Sequence, residues 1–218
     1  MRRVAALDVI TEELARSPAL DAEEEMLRGL LAAAQEALDR AFVDPANVGA
    51  GAAPASIVAD VTPIAGGATV AAIDAAITQA VQQLAAAGSD LAAATWITSP
   101  LVAVALGLAR GADGGPAYPG IGISGGELAG LPVLTSGSVR TDSDGGDLLL
   151  LDEAALTVVE DTTQLRTARQ GTVTVDGVLR SLFQQNLVGL SAEIPVTWSM
   201  RFPAVAVIVD IALEVSAS

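Results

Sequence analysis

Apolar residues recur at helical spacing through DAEEEMLRGLLAAAQEALDRAF, where Met26, Leu27, Leu30, Leu31, Ala34, Leu38, Ala41 and Phe42 form one stripe. The pattern predicts a helix from Asp21 to Phe42, roughly 30 Å long at 1.5 Å per residue. Asp21 is its expected N-cap, with Glu24 three residues on, and Glu23 to Glu25 lie where the helix dipole favours negative charge. A second helix is predicted from Thr69 to Ala87, with Val70, Ile73, Ile77, Val81 and Leu84 on one face and Gly88 as its stop. Ahead of the first helix, VAALDVI reads as a strand, and TEELARS as a turn or short helix ended by Pro18. Between the two helices, the Gly/Ala/Pro-rich run DPANVGAGAAPASIVADVTPIAGG breaks the periodicity and is expected to be a linker or surface loop.

From Leu91 to Ala109 no side chain is charged, a length that raises the question of a membrane span. Ser99-Pro100 divides the stretch, because Pro is favoured in the first turn of a helix, costs about 3 kcal/mol in the middle of one, and follows a good N-cap here. The reading is therefore a strand, AAATWIT, and then a helix, PLVAVALGLAR, closed by Arg110 and Gly111 and about half the length a bilayer needs. Trp96, Leu101, Val104, Leu106 and Leu108 are expected to be buried. After a loop, GADGGPAYPGIGISGG, the remainder reads as strands in LAGLPVL, DLLLL, ALTVVED, NLVGLSAEIPVTWSM and AVAVIVDIAL, with a helical turn at 178–184. Pro195 suggests an edge or a bulge in its strand. Strands and helices do not alternate regularly, so the class is α+β.

Composition removes much chemistry. All eleven basic residues are arginines, and the chain has no lysine, histidine or cysteine. That excludes His-dependent relays, Schiff bases, P-loop lysines, disulfides and thiolate or imidazole metal ligands. The net charge of −15 disfavours a broad nucleic-acid-gripping surface. Gly120-Ile121-Gly122-Ile123-Ser124-Gly125 is a literal G-x-G-x-x-G, but a Pro/Gly loop precedes it and Pro132 cuts off any following helix, so it reads as a loop. The acidic run TDSDGGD lacks the spacing of a calcium loop and reads as a solvated turn. Asp152-Glu153 and Glu160-Asp161 are the other acidic pairs, and Trp96 and Trp198 read as core residues. No catalytic, cofactor-binding or metal-ligating residue is assigned, and no cofactor is expected.

The order of WITSPLVAVAL, GGPAYPG, Gly130-Leu131-Pro132-Val133 and FQQN…AEIPVTW…FPAVAV along the chain resembles the major capsid proteins of tailed bacteriophages and prophages, the Hong Kong 97-type shell fold. The resemblance implies a peripheral domain holding a long spine helix, and an axial domain whose apex faces the centre of a pentamer or hexamer. The implied division is 1–63 peripheral, 64–185 axial and 186–218 returning to the peripheral domain as C-terminal strands. It implies a structural subunit of an icosahedral head, not an enzyme, that associates with itself and with portal, scaffold or head-processing proteins. Packaged DNA would be enclosed without specific binding, no membrane is a partner, and the location would be the virion head, with the host cytoplasm during assembly. In the family an N-terminal arm and an E-loop precede the strand that begins here at Val4, so both are expected to be lacking and assembly to be weakened. A lysine–asparagine crosslink has no lysine to draw on. The alternatives are an encapsulin-like nanocompartment shell and a soluble acidic module that binds Ca or Mg through oxygen ligands.

Overall fold

The structure, a computed structural model, describes residues 2–15, 20–143, 145–175 and 177–212, and the side chains of these except 14, 15, 20–25 and 175. In chain order, β1 (Arg2–Thr11) leads into α1 (Glu12–Ala15) and the long α2 (Leu20–Val43). There follow β2 (Ile64–Gly67), α3 (Val70–Ala86), β3 (Ala94–Thr98) and α4 (Pro100–Leu108). Short strands come next: β4 (Ile121–Gly122), β5 (Gly125–Leu128), β6 (Leu131–Thr135), β7 (Thr141–Asp142) and β8 (Gly145–Asp152). A 3-10 turn (Glu153–Ala155) precedes β9 (Leu156–Glu160), β10 (Gln164–Ala168), β11 (Thr172–Val175) and β12 (Val178–Ser181). The chain closes with β13 (Leu187–Met200) and β14 (Val205–Ile211).

Two units divide the chain, the first built from 1–41, 49–54 and 159–197, the second from 42–48, 55–158 and 198–218. These bounds differ from the expected division at 63/64 and 185/186. The expected C-terminal strand pair in particular does not stay together: β13 runs through the sheet of the first unit, whereas β14 is inserted in the sheet of the second, between β2 and β8.

In the first unit β13 pairs antiparallel with β1, from Arg2↔Val196 to Thr11↔Leu187, and with β10, from Gln164↔Glu193 to Ala168↔Gly189. Strand period places Val4, Ile10, Val188, Ala192, Ile194 and Val196 on one face, and all are buried. On its β1 side Pro195 sits at neither an edge nor a bulge, since the β1 register runs through it without a shift. Its partner Arg3 sends its N–H to Ala52 O at 3.0 Å, so this is a pair without ladder bonds on the β1 side and the missing proline donor costs nothing there. Arg2 fastens the 49–53 loop by donating to the carbonyls of Gly49, Gly51 and Ala53. Of the α2 stripe, Leu30 and Ala34 are buried, Leu38 is half-buried and Leu31 is exposed. The residue that caps α2 and the side chains of Asp21 and Glu23 to Glu25 lie outside the described residues.

The second unit is an eight-stranded sheet in the order β2-β14-β8-β3-β6-β5-β4, with β7 paired to β8. β2 runs parallel to β14 and β3 parallel to β6, and the other pairings are antiparallel. Leu148 and Leu150 of β8 face one core with Trp96, Ala206 and Ile208, and α3 and α4 cover it with Ile73, Ile77, Leu84, Val102 and Leu106. Leu149 and Leu151 face a second core with Val205 and Val207, closed by Val43 at the end of α2 and by Ile57 and Val58. The run 44–67 is therefore not only a linker or surface loop: Ile64–Gly67 forms β2, and 44–63 lacks helix and strand yet supplies part of a core. Trp198 donates to Ala55 O at 2.6 Å and meets Phe42 edge-to-face at 5.2 Å, which holds that segment in place.

Thr69 caps α3 by accepting from Ala72 N, and Ser99 caps α4 by accepting from Val102 N, as the sequence predicts. α4 stops at Leu108, short of Arg110 and Gly111, because Ala109 turns to an extended conformation and its N–H returns to Leu106 O. Its buried residues are Val102, Ala103 and Leu106, whereas Leu101 is 69% exposed and Leu108 51%. The burial expected of Leu101 and Leu108 is thus corrected: with apolar residues all round, periodicity could not choose the inward face. LAGLPVL is not one strand but the β5–β6 hairpin, turned at Ala129 and Gly130, both with positive φ. The 178–184 segment is β12 followed by turns, and not a helical turn.

Trp96 is wholly buried and donates from Nε1 to Leu128 O at 3.2 Å. Trp96→Ala is expected to cost about 3–5 kcal/mol in urea unfolding, and Leu101→Ser less than about 0.5 kcal/mol; equal costs would mean that α4 presents a different face. Leu30→Asp places an unpaired charge at a buried site and is expected to abolish folding. A soluble, cooperatively unfolding Leu30→Asp protein would show that this part of α2 faces water.

Candidate functional site

Among the described residues, charged groups meet most closely around Arg140, which precedes the β7–β8 hairpin. Its Nε lies 3.1 and 3.2 Å from the two carboxylate oxygens of Asp147 on β8, and Nη2 lies 2.7 Å from Oδ1. The same guanidinium reaches Asp142 Oδ2 on β7 at 2.5 Å and Asp210 Oδ1 on β14 at 2.6 Å. Asp147 is buried, and its carbonyl also accepts from Thr98 Oγ1 at 2.8 Å. Hydrogen bonds to Asp147 first and Asp210 second hold the Arg140 pKa above its usual value, against the smaller opposing effect of burial.

Local sequence explains why these groups converge. Gly145 and Gly146 let the hairpin press inward: a Cβ on Gly146 would stand 2.4 Å from Val102 Cγ2, and one on Gly145 would stand 2.6 Å from Ile211 O. Asp210 lies where the β14 register shifts between Ile208 and Ile211, with φ of +58°, a conformation that Asp tolerates better than most residues. Arg140 thereby ties β7, β8 and the bulged part of β14 together. TDSDGGD is thus not simply a solvated turn, since Asp147 is buried and paired; Asp144 lies outside the described residues. The guanidinium stands where the described carboxylates of the run point, and among the described residues no group of three or more acidic, His or Cys side chains is placed to hold a metal ion.

Beside the cluster lies a cavity of about 360 Å³, with apolar walls that include Val43, Val58, Val139 and Val207 and with Arg140, Asp147 and Asp210 at its charged side. Every polar side chain of the lining is engaged in the clamp, and the lining combines no nucleophile with a base. The other acidic pair with a defined role is structural: Asp152 is buried, accepts from Ser89 Oγ at 2.5 Å and from Ala154 N, and Glu153 accepts from Thr95 Oγ1 at 2.8 Å. Glu160 and Asp161 are exposed on and just after β9.

The G-x-G-x-x-G run is neither a phosphate cradle nor a loose loop. It makes the β4–β5 hairpin, with Ile121↔Gly126 and Gly122↔Gly125 as pairs. A Cβ on Gly126 would lie 2.0 Å from Gly120 O, so glycine is required there by close backbone approach. Tyr118 of GGPAYPG donates its hydroxyl to Asp74 Oδ1 at 2.8 Å and ties the following loop to α3. Its pKa is raised, first by burial and then by that bond and the Asp74 charge.

What this chain offers besides clamps is exposed apolar surface: Leu101, Leu108, Ile123 and Leu134 on the second unit, and Leu165, Val178, Leu179 and Phe183 on the first. Where such side chains form a contiguous patch, they mark contacts with other molecules. No described helix is long and apolar enough to cross a membrane.

Comparison with known proteins points the same way. The model of the phage capsid family matches residues 1–196. A capsid polyprotein of Pseudomonas phage PAJU2 is 34% identical over 212 residues, covering 91% of this chain. The chain spans about a third of that relative's length, 32%. Among solved structures, a chain from Gordonia phage Cozz superposes with a TM-score of 0.68 at 20% identity, over 97% of this chain and 70% of that one. The capsid of an empty GTA particle gives 0.65 at 19% identity, over 97% and 74%. A chain from Mycobacterium phage Cain gives 0.63 at 15%, over 99% and 72%. The fold is accordingly the Hong Kong 97-type α+β capsid fold. With the family model spanning most of its length, the chain belongs to the phage capsid family.

Proposed function

We propose that this protein is a major capsid subunit, a structural piece of a phage or prophage head that works by associating with copies of itself. The observation that carries this reading is the 34% identity over 212 residues to a capsid polyprotein. The absence of Lys, His and Cys from the sequence and the engagement of the buried carboxylates in clamps agree with a protein that is not an enzyme. In this reading the unit that contains β1, most of α2 and most of β13 is the peripheral domain, and the unit with the eight-stranded sheet is the axial domain, whose apex lies toward the centre of a pentamer or hexamer. Portal, scaffold and head-processing proteins are the further partners. DNA is enclosed and not gripped, and the protein resides in the virion head after assembly in the host cytoplasm.

Subunits with a net charge of −15 repel one another at long range. Raising salt from about 0.1 M to about 1 M shortens the Debye length from about 10 Å to about 3 Å and removes most of that repulsion. Dilute protein is therefore expected to sediment as monomers or small oligomers at the lower salt and to associate progressively as salt rises. Sedimentation velocity across the series checks this. A monomer at every salt and at every concentration tested would overturn the shell reading.

A further inference from the structure

The cavity beside the Arg140 cluster is lined wholly by residues of the second unit and holds about 360 Å³. Small-molecule sites run to about 300–1,000 Å³, and an apolar cavity of about 150 Å³ already takes up benzene. The space here therefore suits one aromatic ring with a short side chain. Its walls are aliphatic: Val43 at the end of α2, Val58 and Val61 from the irregular run, Val139 before the hairpin, and Val207 on β14. Such walls favour a hydrocarbon body over a polar one.

Charge selects the class of ligand. Asp147 and Asp210 line the cavity with Arg140, which is the one cation among the described lining residues and is shared with Asp142 as well. Two more acids adjoin the walls along the chain, Asp44 between Val43 and Pro45 and Asp60 between Ala59 and Val61, and no further arginine does so. The field at this wall is therefore negative. Asp210 is bonded to the guanidinium through Oδ1 at 2.6 Å, and its side chain stays 55% exposed, so the carboxylate can accept from a further donor. The bulge and the guanidinium fix where that carboxylate stands, and the apolar walls beside it strengthen its attraction for an opposite charge. An anion would be repelled there, and a neutral molecule would leave the carboxylate unused. We propose that this cavity is a binding site for a small apolar cation, an aryl- or alkylammonium whose hydrocarbon part fills the valine-lined space and whose charged end lies against Asp210. The site goes beyond the capsid reading and does not depend on it.

The test titrates the whole chain, at neutral pH and about 0.1 M salt, with three probes of nearly one shape: 2-phenylethylammonium, 2-phenylethanol and phenylacetate. Calorimetry is expected to show saturable binding of the cation about fivefold or more tighter than that of the alcohol, with phenylacetate weakest. Asp210→Asn is expected to bring the cation's affinity down toward that of the alcohol and to leave the alcohol's unchanged. Val61→Phe, which fills the cavity from its half-buried wall, is expected to weaken all three. Amide chemical shifts of the wild type supply the readout that decides if a variant misfolds: the cation is expected to move the amides of 58–61, 139–140 and 207–210 together, and ethylammonium, which lacks the ring, to leave them in place. If the three probes bind alike, if none binds at millimolar concentration, or if ethylammonium produces the same shifts or the shifts spread over the acidic surface, the site is overturned.

Discussion

The second unit depends on one constraint, that β8 is buried on both faces. Four consecutive leucines, Leu148 to Leu151, alternate between two cores, so neither side of the sheet can be left to solvent where β8 passes. One face is covered by α3 and α4. The other is covered by chain without regular structure, where Ile57 and Val58 join Val43 over Leu149 and Val207. This explains why a Gly/Ala/Pro-rich run carries the sequence PASIVADV: the glycines and alanines let the chain turn, and the branched residues fill a core. It also explains why Trp198 is bonded to Ala55, since an irregular segment keeps its position only through such specific ties.

Much of this was legible in the sequence, and the failures have physical causes. α3 and the start of α4 were placed by caps whose side chains make the expected bonds, Thr69 and Ser99. The Ser99-Pro100 boundary turned an apparent span into a strand and a nine-residue helix. What periodicity could not supply was orientation, because a helix such as PLVAVALGL is apolar all round and its inward face is chosen by the neighbouring sheet. The β5–β6 turn was missed because Ala129 shares the positive-φ work with Gly130, and an alanine gives no turn signal. The destination of β14 was missed for a more general reason: AVAVIVDIAL reads as a strand whichever sheet receives it, and only the two covered faces of β8 and its partners decide. For the candidate site, the acidic run was visible but its counter-ion was not recognised, although Arg140 immediately precedes it.

The Arg140 cluster illustrates how a protein with no lysine and no histidine manages its carboxylates. A planar guanidinium with several donors satisfies Asp142, Asp147 and Asp210 together, which a point-charged ammonium would do less well. The cluster fastens the bulge of β14 to the β7–β8 hairpin and leaves nothing poised for reaction. Asp152 and Tyr118 are likewise spent on holding loops to the frame. Among the described residues the buried carboxylates are thus bonded to groups that fix strands and loops, while apolar side chains such as Leu101 and Leu108 are exposed. That division suits a subunit whose work is to meet copies of itself in one geometry.

Electron microscopy of the purified protein under associating conditions tests the central claim most directly. The account predicts rings of five or six subunits or closed shells built from them, with the subunit density fitted by this fold. Amorphous aggregate, or particles with no repeated subunit arrangement, would contradict it.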